Sequence, residues 1–574
     1  MSAFLATSRR ALAFVLFLPA ALLLALLRTA KGALIGSLLG LLGAAAWHLF
    51  LPVVIDHGVF RWGAVIGTAL GALYGLVSSL RETFLAPPPL TSHGSARWAT
   101  PEEGAALALA RDAGHGGLAG LLVGREAAGK RRLLAYDGPA HLITIAPTRS
   151  GKGVGTVLPN LLLAERSVLC IDPKGENARI ASRARRRFGP VHVLDPFDVS
   201  GQPSARYDPL AVLDPVSPDL AEDTATLADA LVHDLPGQAG EAHWNEEAKA
   251  LIAGLLLHTL TTQPPERRHL AALRDALTLS PARFQALLAD MAASTAAGGL
   301  VARAANRQLG KSDREAAGVL SSAQRHTHFL DGPRITAAMD GADFRFEDLR
   351  RGVASVFLVL PPDRLDTYSR WLRLLVAQAI QHLARSTTTA PVQQEGPLPS
   401  GAAGPAPGPG SRPPVLFLLD EFAALGRLDP VERAMGLMAG LGIQLWPILQ
   451  DLHQLRATYG QRAGTFLSNA GLVQVSSPAD LETATWLSRT LGSGTVAYET
   501  ASSSTSSPAF FSNGQTSESE GTSTHLAARP LLTPDEAMRL WPDRQVLLRP
   551  GHRPVLAAKL RHYEDKEFRG LFDA

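Results

Sequence analysis

The chain has 574 residues, 46% of them hydrophobic, and its 55 basic and 52 acidic side chains leave a formal charge of +3. This length allows more than one domain with a core of ordinary size. So small a positive excess excludes a general attraction for nucleic acid, and any contact with DNA must be local. The single cysteine, Cys170, excludes an internal disulfide and a cysteine-based metal site, and its apolar neighbours predict a reduced, buried thiol.

Three apolar runs open the chain, at residues 11–27, 33–55 and 62–80. A membrane span needs about 20 apolar residues, and the second and third runs supply them. They predict a transmembrane helical hairpin with a short external turn at residues 56–61, because basic residues flank the hairpin. The first run is marginal in length, so a third span at 11–27 stays open. We therefore expect residues 1–85 to be a membrane anchor, with the rest of the chain in the cytoplasm.

Beyond residue 140, short apolar and β-branched runs alternate with helical patterns, which is typical of an α/β fold with a mostly parallel sheet. Most of these runs are apolar throughout, as strands buried on both faces should be. The predicted strands are 141–146, 167–172, 191–195, 354–360, 415–420 and 443–449.

Residues 216–345 interrupt the strands with helical patterns alone, in which apolar residues recur three and four positions apart. We expect an all-α domain there, inserted between the two parts of one α/β domain, residues 86–215 and 346–574. Two segments poor in apolar residues are predicted to be flexible: the Pro- and Gly-rich residues 386–414 and the Ser- and Thr-rich residues 500–526.

The stretch TIAPTRSGKGVG, residues 144–155, connects the first predicted strand to a helical pattern. Strand, small-residue loop and helix is the order that a phosphate-binding loop requires, because backbone N–H groups at the helix start surround the phosphates. Lys152 adds a positive charge for the β and γ phosphates of ATP. The predicted nucleotide contacts are Thr148, Arg149, Ser150, Gly151, Lys152, Gly153 and Val154.

Two positions depart from the usual G-x-x-x-x-G-K-[ST] pattern: Ala146 replaces the first glycine, and Gly153 replaces the hydroxyl residue. Alanine fits if its φ is negative. The missing hydroxyl matters more, because it normally ligates Mg²⁺. The hydroxyl of Ser150, Thr148 or Thr156 is an alternative, as is a water molecule, and the sequence does not choose among them.

The strand at 415–420 ends in an acidic pair, Asp420 and Glu421. Asp420 is predicted to hold Mg²⁺ through water, and Glu421 to polarise the attacking water as general base. Gln450, at the end of the strand 443–449, is predicted to sense the γ-phosphate. An acidic pair alone is also explained as a helix cap. Three such elements in this order nevertheless favour an ATPase with Lys152, Glu421 and Gln450 as catalytic residues.

Several motifs together resemble the TraG-type coupling proteins of type IV secretion and conjugation, the TraG/TraD family. The resemblance extends from about residue 140 to the C-terminus, and a matching membrane hairpin precedes it. The motifs are APTRSGKGVG (146–155), CIDPKGEN (170–177), VLDPF (193–197), LDEFAALG (419–426), LQDLHQL (449–455), SNAG (468–471), ETATWLSRTLG (482–492) and RPLLTPDEAMRL (529–540).

The resemblance implies a RecA-like P-loop nucleotide-binding domain with an all-α insertion, assembled as a homo-hexamer at the bacterial inner membrane. It implies ATP and Mg²⁺ as cofactors. The implied partners are a relaxase bound to single-stranded DNA, or secreted effector proteins, and components of the secretion channel. A glycine after the lysine is usual in this family, so Gly153 is not a defect. Arg427 and Arg433 are candidates for the arginine that some relatives direct at the neighbouring subunit's nucleotide.

Contact with DNA is hard to locate in the sequence. The basic run at 179–189 is explained either by contacts to phosphates or by a solvated helix face. Trp244, in a motif at 243–247, is better explained as a core anchor than as a platform for base stacking.

Two other functions were compared with that of a coupling ATPase. A chromosome-partitioning DNA pump of the FtsK kind shares the motor fold, but the motif set around 419–426 argues against it. A non-hydrolysing membrane adaptor of the channel belongs to a different class, and the joint presence of Lys152, Asp420, Glu421 and Gln450 argues against it.

Overall fold

The computed structural model describes residues 91–573, except for 105–106, 108–116, 119, 130, 233–240, 389–412, 438–440 and 507–516, together with short stretches between 34 and 77. The chain divides into two compact units, Met1–Ser92 and His93–Ala574.

In the first unit, the structure describes a short apolar helix, Val65–Tyr74, inside the predicted span 62–80. The predicted span 11–27 and most of 33–55 lie outside the described residues. Within the described part of the chain, no single helix is long and apolar enough to cross a membrane. One pair of helices, Pro281–Ala292 and Ala296–Leu309, meets the length and composition requirement together but is bent by 102°.

The second unit is built on an 11-stranded sheet. Its strands are β1 Leu121–Glu126, β2 Leu133–Tyr136, β3 His141–Ile145, β4 Val168–Ile171, β5 Val191–Leu194, β6 Ser355–Leu358, β7 Val415–Leu419, β8 Ile443–Leu449, β9 Ala470–Val475, β12 Arg544–Leu548 and β13 Val555–Ala558. Seven neighbouring strands, in the order β9-β3-β8-β7-β4-β6-β5, are parallel, and β12, β13, β1 and β2 extend the sheet beyond β9 in antiparallel fashion. The six predicted strands are all present, whereas β1, β2, β9, β12 and β13 were not predicted.

The α-helices of this unit, numbered in chain order, are α1 Pro101–Gly104, α2 Leu158–Leu163, α3 Glu176–Arg185, α4 Leu220–Leu231, α5 Ala242–Thr262, α6 Leu270–Leu277, α7 Pro281–Ala292, α8 Leu300–Leu309, α9 Asp313–Thr327, α10 Pro333–Ala338, α11 Asp348–Arg351, α12 Leu365–Thr388, α13 Asp429–Leu437, α14 Leu452–Tyr459, α15 Ala463–Ser468, α16 Leu481–Leu491 and α17 Pro534–Met538. Helices α4 to α10 follow one another in the predicted helical interval, whose boundaries remain a prediction.

The central strands are buried on both faces, which explains their continuous apolar sequences. Successive side chains of a strand point to opposite faces. Accordingly, Phe417 and Leu419 of β7 join a core that continues into the helices between β5 and β6, while Leu416 joins the core on the other face. Cys170 of β4 is a fully buried free thiol, as predicted.

The described part of the predicted flexible segment 500–526 is β-strand rather than loop, and its flexibility remains a prediction. Strands β10, Ser493–Ser506, and β11, Ser517–Pro530, pair with each other in a separate two-stranded sheet, which we call the ribbon. Each residue of β10 is paired with a residue of β11 in one unbroken antiparallel register, from Ser493 with Pro530 to Ser506 with Ser517. Of the other predicted flexible segment, 386–388 belong to α12 and 389–412 lie outside the described residues.

The basic run at 179–189 is used largely within the fold. The Arg185 guanidinium is fully buried and donates to the Ser355 hydroxyl at 2.8 Å and to the Ala164 carbonyl at 2.6 Å. Arg183 bonds Asp573 at 2.6 Å, and Arg187 donates to the Leu162 carbonyl at 2.8 Å. The side chains of Arg179, Arg183, Arg186 and Arg187 are nevertheless exposed, so both explanations of the run, a solvated helix face and contacts to phosphates, stay open.

Trp244 of α5 packs closely over Gly318 of α9, where a ring carbon lies 2.6 Å from the place that a Cβ on Gly318 would occupy. The ring also contacts the main core. The packing supports the interpretation of Trp244 as a core anchor.

Candidate nucleotide-binding site

The ends of β3, β7 and β8 bring the predicted site together. Strand β8 lies between the other two, with Leu449 beside Ile145 of β3 and Pro447 beside Leu419 of β7. Because all three strands are parallel, their carboxyl ends meet at one edge of the sheet. The loop after β3, the acids after β7 and Gln450 after β8 therefore share this edge.

Four predicted side chains are in contact there. Lys152 Nζ donates to Glu421 Oε1 at 2.7 Å and lies 3.9 Å from Asp420 Oδ1. Gln450 Nε2 donates to the other carboxylate oxygen of Glu421, Oε2, at 3.1 Å. Both oxygens of Glu421 are thus occupied by donors from the loop and from β8. The structure brings these residues together, and their catalytic roles remain predictions.

The two acids differ in their electrostatic surroundings. Burial raises the pKa of Asp420, and the charge of Lys152 offsets only part of this effect. Burial also acts to raise the pKa of Glu421, but the hydrogen bond and charge of Lys152 outweigh it and hold that pKa below its ordinary value. Glu421 is therefore ionised at neutral pH, as a general base must be.

The backbone of the loop is shaped to surround an anion. Arg149 and Gly151 have φ of 63° and 87°, in the left-handed region that favours glycine. Glu421 also has a positive φ, of 50°, and such strain in non-glycine residues tends to occur at ligand sites. The backbone N–H groups of Gly151, Lys152 and Gly153 donate to no described residue. They lie at the start of the helical turn Gly153–Val157, which continues directly into α2. Three adjacent donors at the start of a helix fit a polyphosphate.

The two departures from the usual loop pattern are accommodated. Ala146 does not need the left-handed backbone conformation, so the missing glycine costs nothing there. Its N–H donates to the Leu449 carbonyl at 2.9 Å, which ties the start of the loop to β8. At Gly153 a Cβ would meet no atom within 4 Å, so its lack of a side chain is not a steric requirement of the fold.

The three candidate hydroxyls have different environments. Thr156 is buried, and its Oγ1 donates to Gln474 Oε1 at 3.4 Å, away from the loop opening. Thr148 is exposed. Ser150 Oγ is buried and has no hydrogen-bond partner among the described residues. A buried hydroxyl without a partner is costly, so Ser150 is the hydroxyl that best fits a bound group.

Replacing Ser150 by alanine is expected to weaken binding of Mg²⁺–ATP by about 10-fold, the value of one or two kcal/mol of lost ligand contact. The loss should shrink when EDTA removes the metal, since the hydroxyl then has less to bind. Titration of a fluorescent nucleotide with and without EDTA measures this. Thr148→Ala, at an exposed position of the same loop, is the matched control. Equal affinities for Ser150→Ala and the wild type would exclude Ser150.

Two further residues near the acids were not predicted as site residues. Asp172 directly follows β4, the strand next to β7, and is buried. Burial raises its pKa to about 7, and the charge of Asp420 adds to this. The exposed Lys174 lies close enough to lower the pKa of both Asp420 and Glu421. Asp172 and Lys174 both belong to the stretch CIDPKGEN, at the end of a predicted strand. That position at a strand end was the sequence signal that could have identified them as site residues.

The candidate arginines differ in their partners. Arg427 bonds Asp429 at 2.7 Å and Glu432 at 3.2 Å within its own chain. Arg433 is exposed on α13. Of the two, Arg433 is the freer to reach another subunit.

A parallel sheet with a lysine-bearing loop after one strand, and an acidic pair two strands away at the same edge, defines a P-loop nucleotide-binding protein. The chain belongs to the family of type IV secretory system conjugative DNA transfer proteins, whose family model matches residues 109–571.

Curated relatives agree with this assignment. VirD4 of Agrobacterium fabrum is 30% identical over 448 residues, which cover 75% of this chain and 60% of VirD4. TraG of Escherichia coli is 28% identical over 538 residues, covering 87% of this chain and 81% of TraG. This chain thus spans less than two thirds of the Agrobacterium protein.

Solved structures share the fold. The unbound coupling protein TrwBdeltaN70 has a TM-score of 0.56 at 17% identity, covering 84% of this chain and 97% of that one. TrwB in complex with the ATP analogue ADPNP has a TM-score of 0.55 at 16% identity, covering 84% of this chain and 98% of that one. At these identities the likeness shows the α/β fold with its large, mostly parallel sheet.

Proposed function

We propose that this chain is a coupling ATPase of the bacterial inner membrane. It recruits relaxase-bound single-stranded DNA, secreted proteins or both, and delivers them to a type IV secretion channel by hydrolysing ATP. The observation that carries the proposal is the contact of Lys152 with Glu421, next to Asp420 and Gln450. Family membership supports the DNA-transfer part, since the matching family model describes conjugative DNA transfer.

ATP and Mg²⁺ are the proposed cofactors, and the residues present fit them. The relative TrwB was solved with ADPNP and with ADP and Mg²⁺. The N–H groups of Gly151, Lys152 and Gly153 and the Ser150 hydroxyl have no hydrogen-bond partner among the described residues, and together they form a donor set suited to phosphates. When bound, Mg²⁺ supplies positive charge to the β and γ phosphate oxygens. Asp420 would hold it through water.

Lys152, Glu421 and Gln450 then have separate roles in hydrolysis. Lys152 Nζ exchanges its carboxylate partner for phosphate oxygens, which frees Glu421 Oε1 to accept a proton from the attacking water. Gln450 remains bonded to Glu421 Oε2, so the orientation of the base is linked to β8. Gln450 is followed by Asp451, which caps α14, so we expect a change at Gln450 to reach that helix.

The proposed assembly is a homo-hexamer on the inner membrane face, anchored by the hairpin at 33–55 and 62–80. Arg433 supports this arrangement, because an exposed arginine outside the chain's own site suits a neighbouring subunit's nucleotide.

The decisive experiment combines turnover with transfer. Lys152→Ala in the full-length protein should lower ATP turnover by at least 100-fold and abolish transfer of DNA or effector proteins from donor cells. The amount of the variant protein in the membrane should equal that of the wild type. Lys566→Ala, at an exposed lysine, is the control. Intact transfer by Lys152→Ala would contradict the proposal. So would DNA transfer by the wild-type protein in cells that lack the relaxase and the secretion channel.

A further inference from the structure

The segment that follows β13, residues 559–562, packs against the loop that follows β3. Lys559 Nζ donates to the Ser150 carbonyl at 2.9 Å, across 409 positions of sequence. The His562 N–H donates to the Val154 carbonyl at 3.2 Å. The Leu560 carbonyl oxygen lies 2.6 Å from the place that a Cβ on Gly155 would occupy. The C-terminal segment therefore touches the loop and the first turn of its helix at three points.

The contact of Lys559 has a consequence for the next peptide group. In a trans peptide the C=O and the following N–H point in opposite directions, because the group is planar. Lys559 fixes the direction of the Ser150 carbonyl and therefore also that of the Gly151 N–H, which points away from Lys559. That N–H is one of the three that donate to no described residue.

The positive charge of Lys559 also favours the binding of an anion at the loop. Its ammonium makes no ion pair with a described acid, and the Ser150 carbonyl is its hydrogen-bond acceptor. The acid in its neighbourhood, Asp543, already lies beside Arg544 at 3.7 Å. A half-buried positive charge without a carboxylate partner, bonded directly to the loop, favours an anion bound there.

We propose that Lys559 is a positioning residue of the nucleotide site, which holds the Ser150–Gly151 peptide so that the Gly151 N–H is presented to the phosphates. The inference rests on the proposed function, in that the loop binds a nucleoside triphosphate. It adds to the site a residue that lies outside the loop, the acidic pair and the strand-end glutamine.

The test compares three variants of the full-length protein by titration with a fluorescent ATP analogue and with adenosine. Lys559→Met should raise the Kd for the triphosphate about 10-fold and leave that for adenosine unchanged, because the misplaced N–H serves phosphates alone. Lys559→Arg should restore most of the affinity, since a guanidinium can still donate to the Ser150 carbonyl. Lys566→Met, an exposed lysine seven positions later, should behave as the wild type.

A merely structural role predicts a different result, in which adenosine and triphosphate lose affinity together and the ligand-free protein melts at a lower temperature. That result would overturn the inference, as would unchanged triphosphate affinity in Lys559→Met. If Lys559→Met does not fold, Lys559→Ala carries the same test, because alanine also removes both the donor and the charge. Failure of the proposed function is distinct, since the wild type itself would then bind no triphosphate.

Discussion

Replacing Glu421 by glutamine is expected to lower ATP turnover by about 10²- to 10⁴-fold while nucleotide affinity stays within a few-fold of the wild type. Glutamine has nearly the same shape and can still accept a bond from Lys152, but it cannot take a proton from water. Glu421 is suited to that task because Gln450 holds its Oε2, and because a pKa below the ordinary value keeps the carboxylate ionised.

Steady-state turnover and nucleotide titration on the same preparation separate the two effects. Glu499→Gln, an exposed glutamate on the ribbon, is the control and should leave both values unchanged. Turnover within a few-fold of the wild type in Glu421→Gln would show that another group is the base. Asp172, buried beside Asp420, would then be the next candidate.

Gly155→Ala is expected to destabilise the protein by about 1–3 kcal/mol and to weaken nucleotide binding, because the new methyl group would press against the Leu560 carbonyl. The distance of 2.6 Å is too short for a real contact, and the obstructing atom belongs to the backbone, so it cannot rotate away. Relief requires the segment 559–562 to move off the loop, and the bond from Lys559 to Ser150 would be lost with it.

Gly153→Ala, two positions earlier in the same helical turn, is the matched control. It meets no atom within 4 Å, and alanine favours a helix over glycine by about 1 kcal/mol. Thermal unfolding should therefore show a lower midpoint for Gly155→Ala and an equal or higher one for Gly153→Ala. Equal midpoints for the two variants would mean that the C-terminal segment does not press on the loop.

Six of the seven parallel strands could be predicted because they are buried in the sheet and therefore read as mostly apolar runs. The seventh, β9, was missed because Gly471 and Gln474 interrupt its apolar pattern. The antiparallel half could not be predicted in this way. Strand β13 is short and half alanine, and β12 includes Arg544 and Gln545, which interrupt the apolar pattern. The strands of the ribbon could not be predicted because its sequence shows no buried face, and Val496 and Tyr498 are exposed.

The candidate site could be predicted where short stretches of sequence are enough to identify its parts. Strand, loop, lysine and strand-end acids are each visible within a few residues, and the sheet then brings them to one edge. Two features lie beyond such reasoning. The choice among Ser150, Thr148 and Thr156 depends on which hydroxyl is buried without a partner, and Lys559 acquires its role from a neighbour 409 positions away.

That separation also determines when, during translation, the site can first exist. A nascent subunit that has released β3 and its loop from the ribosome still lacks β8 and β9, the strands on either side, and the segment that holds Ser150. At about 5–20 residues per second, the ribosome needs roughly 20–80 s more to reach Lys559. An unfinished polypeptide therefore lacks part of the site that we propose for ATP until its last residues have been synthesised.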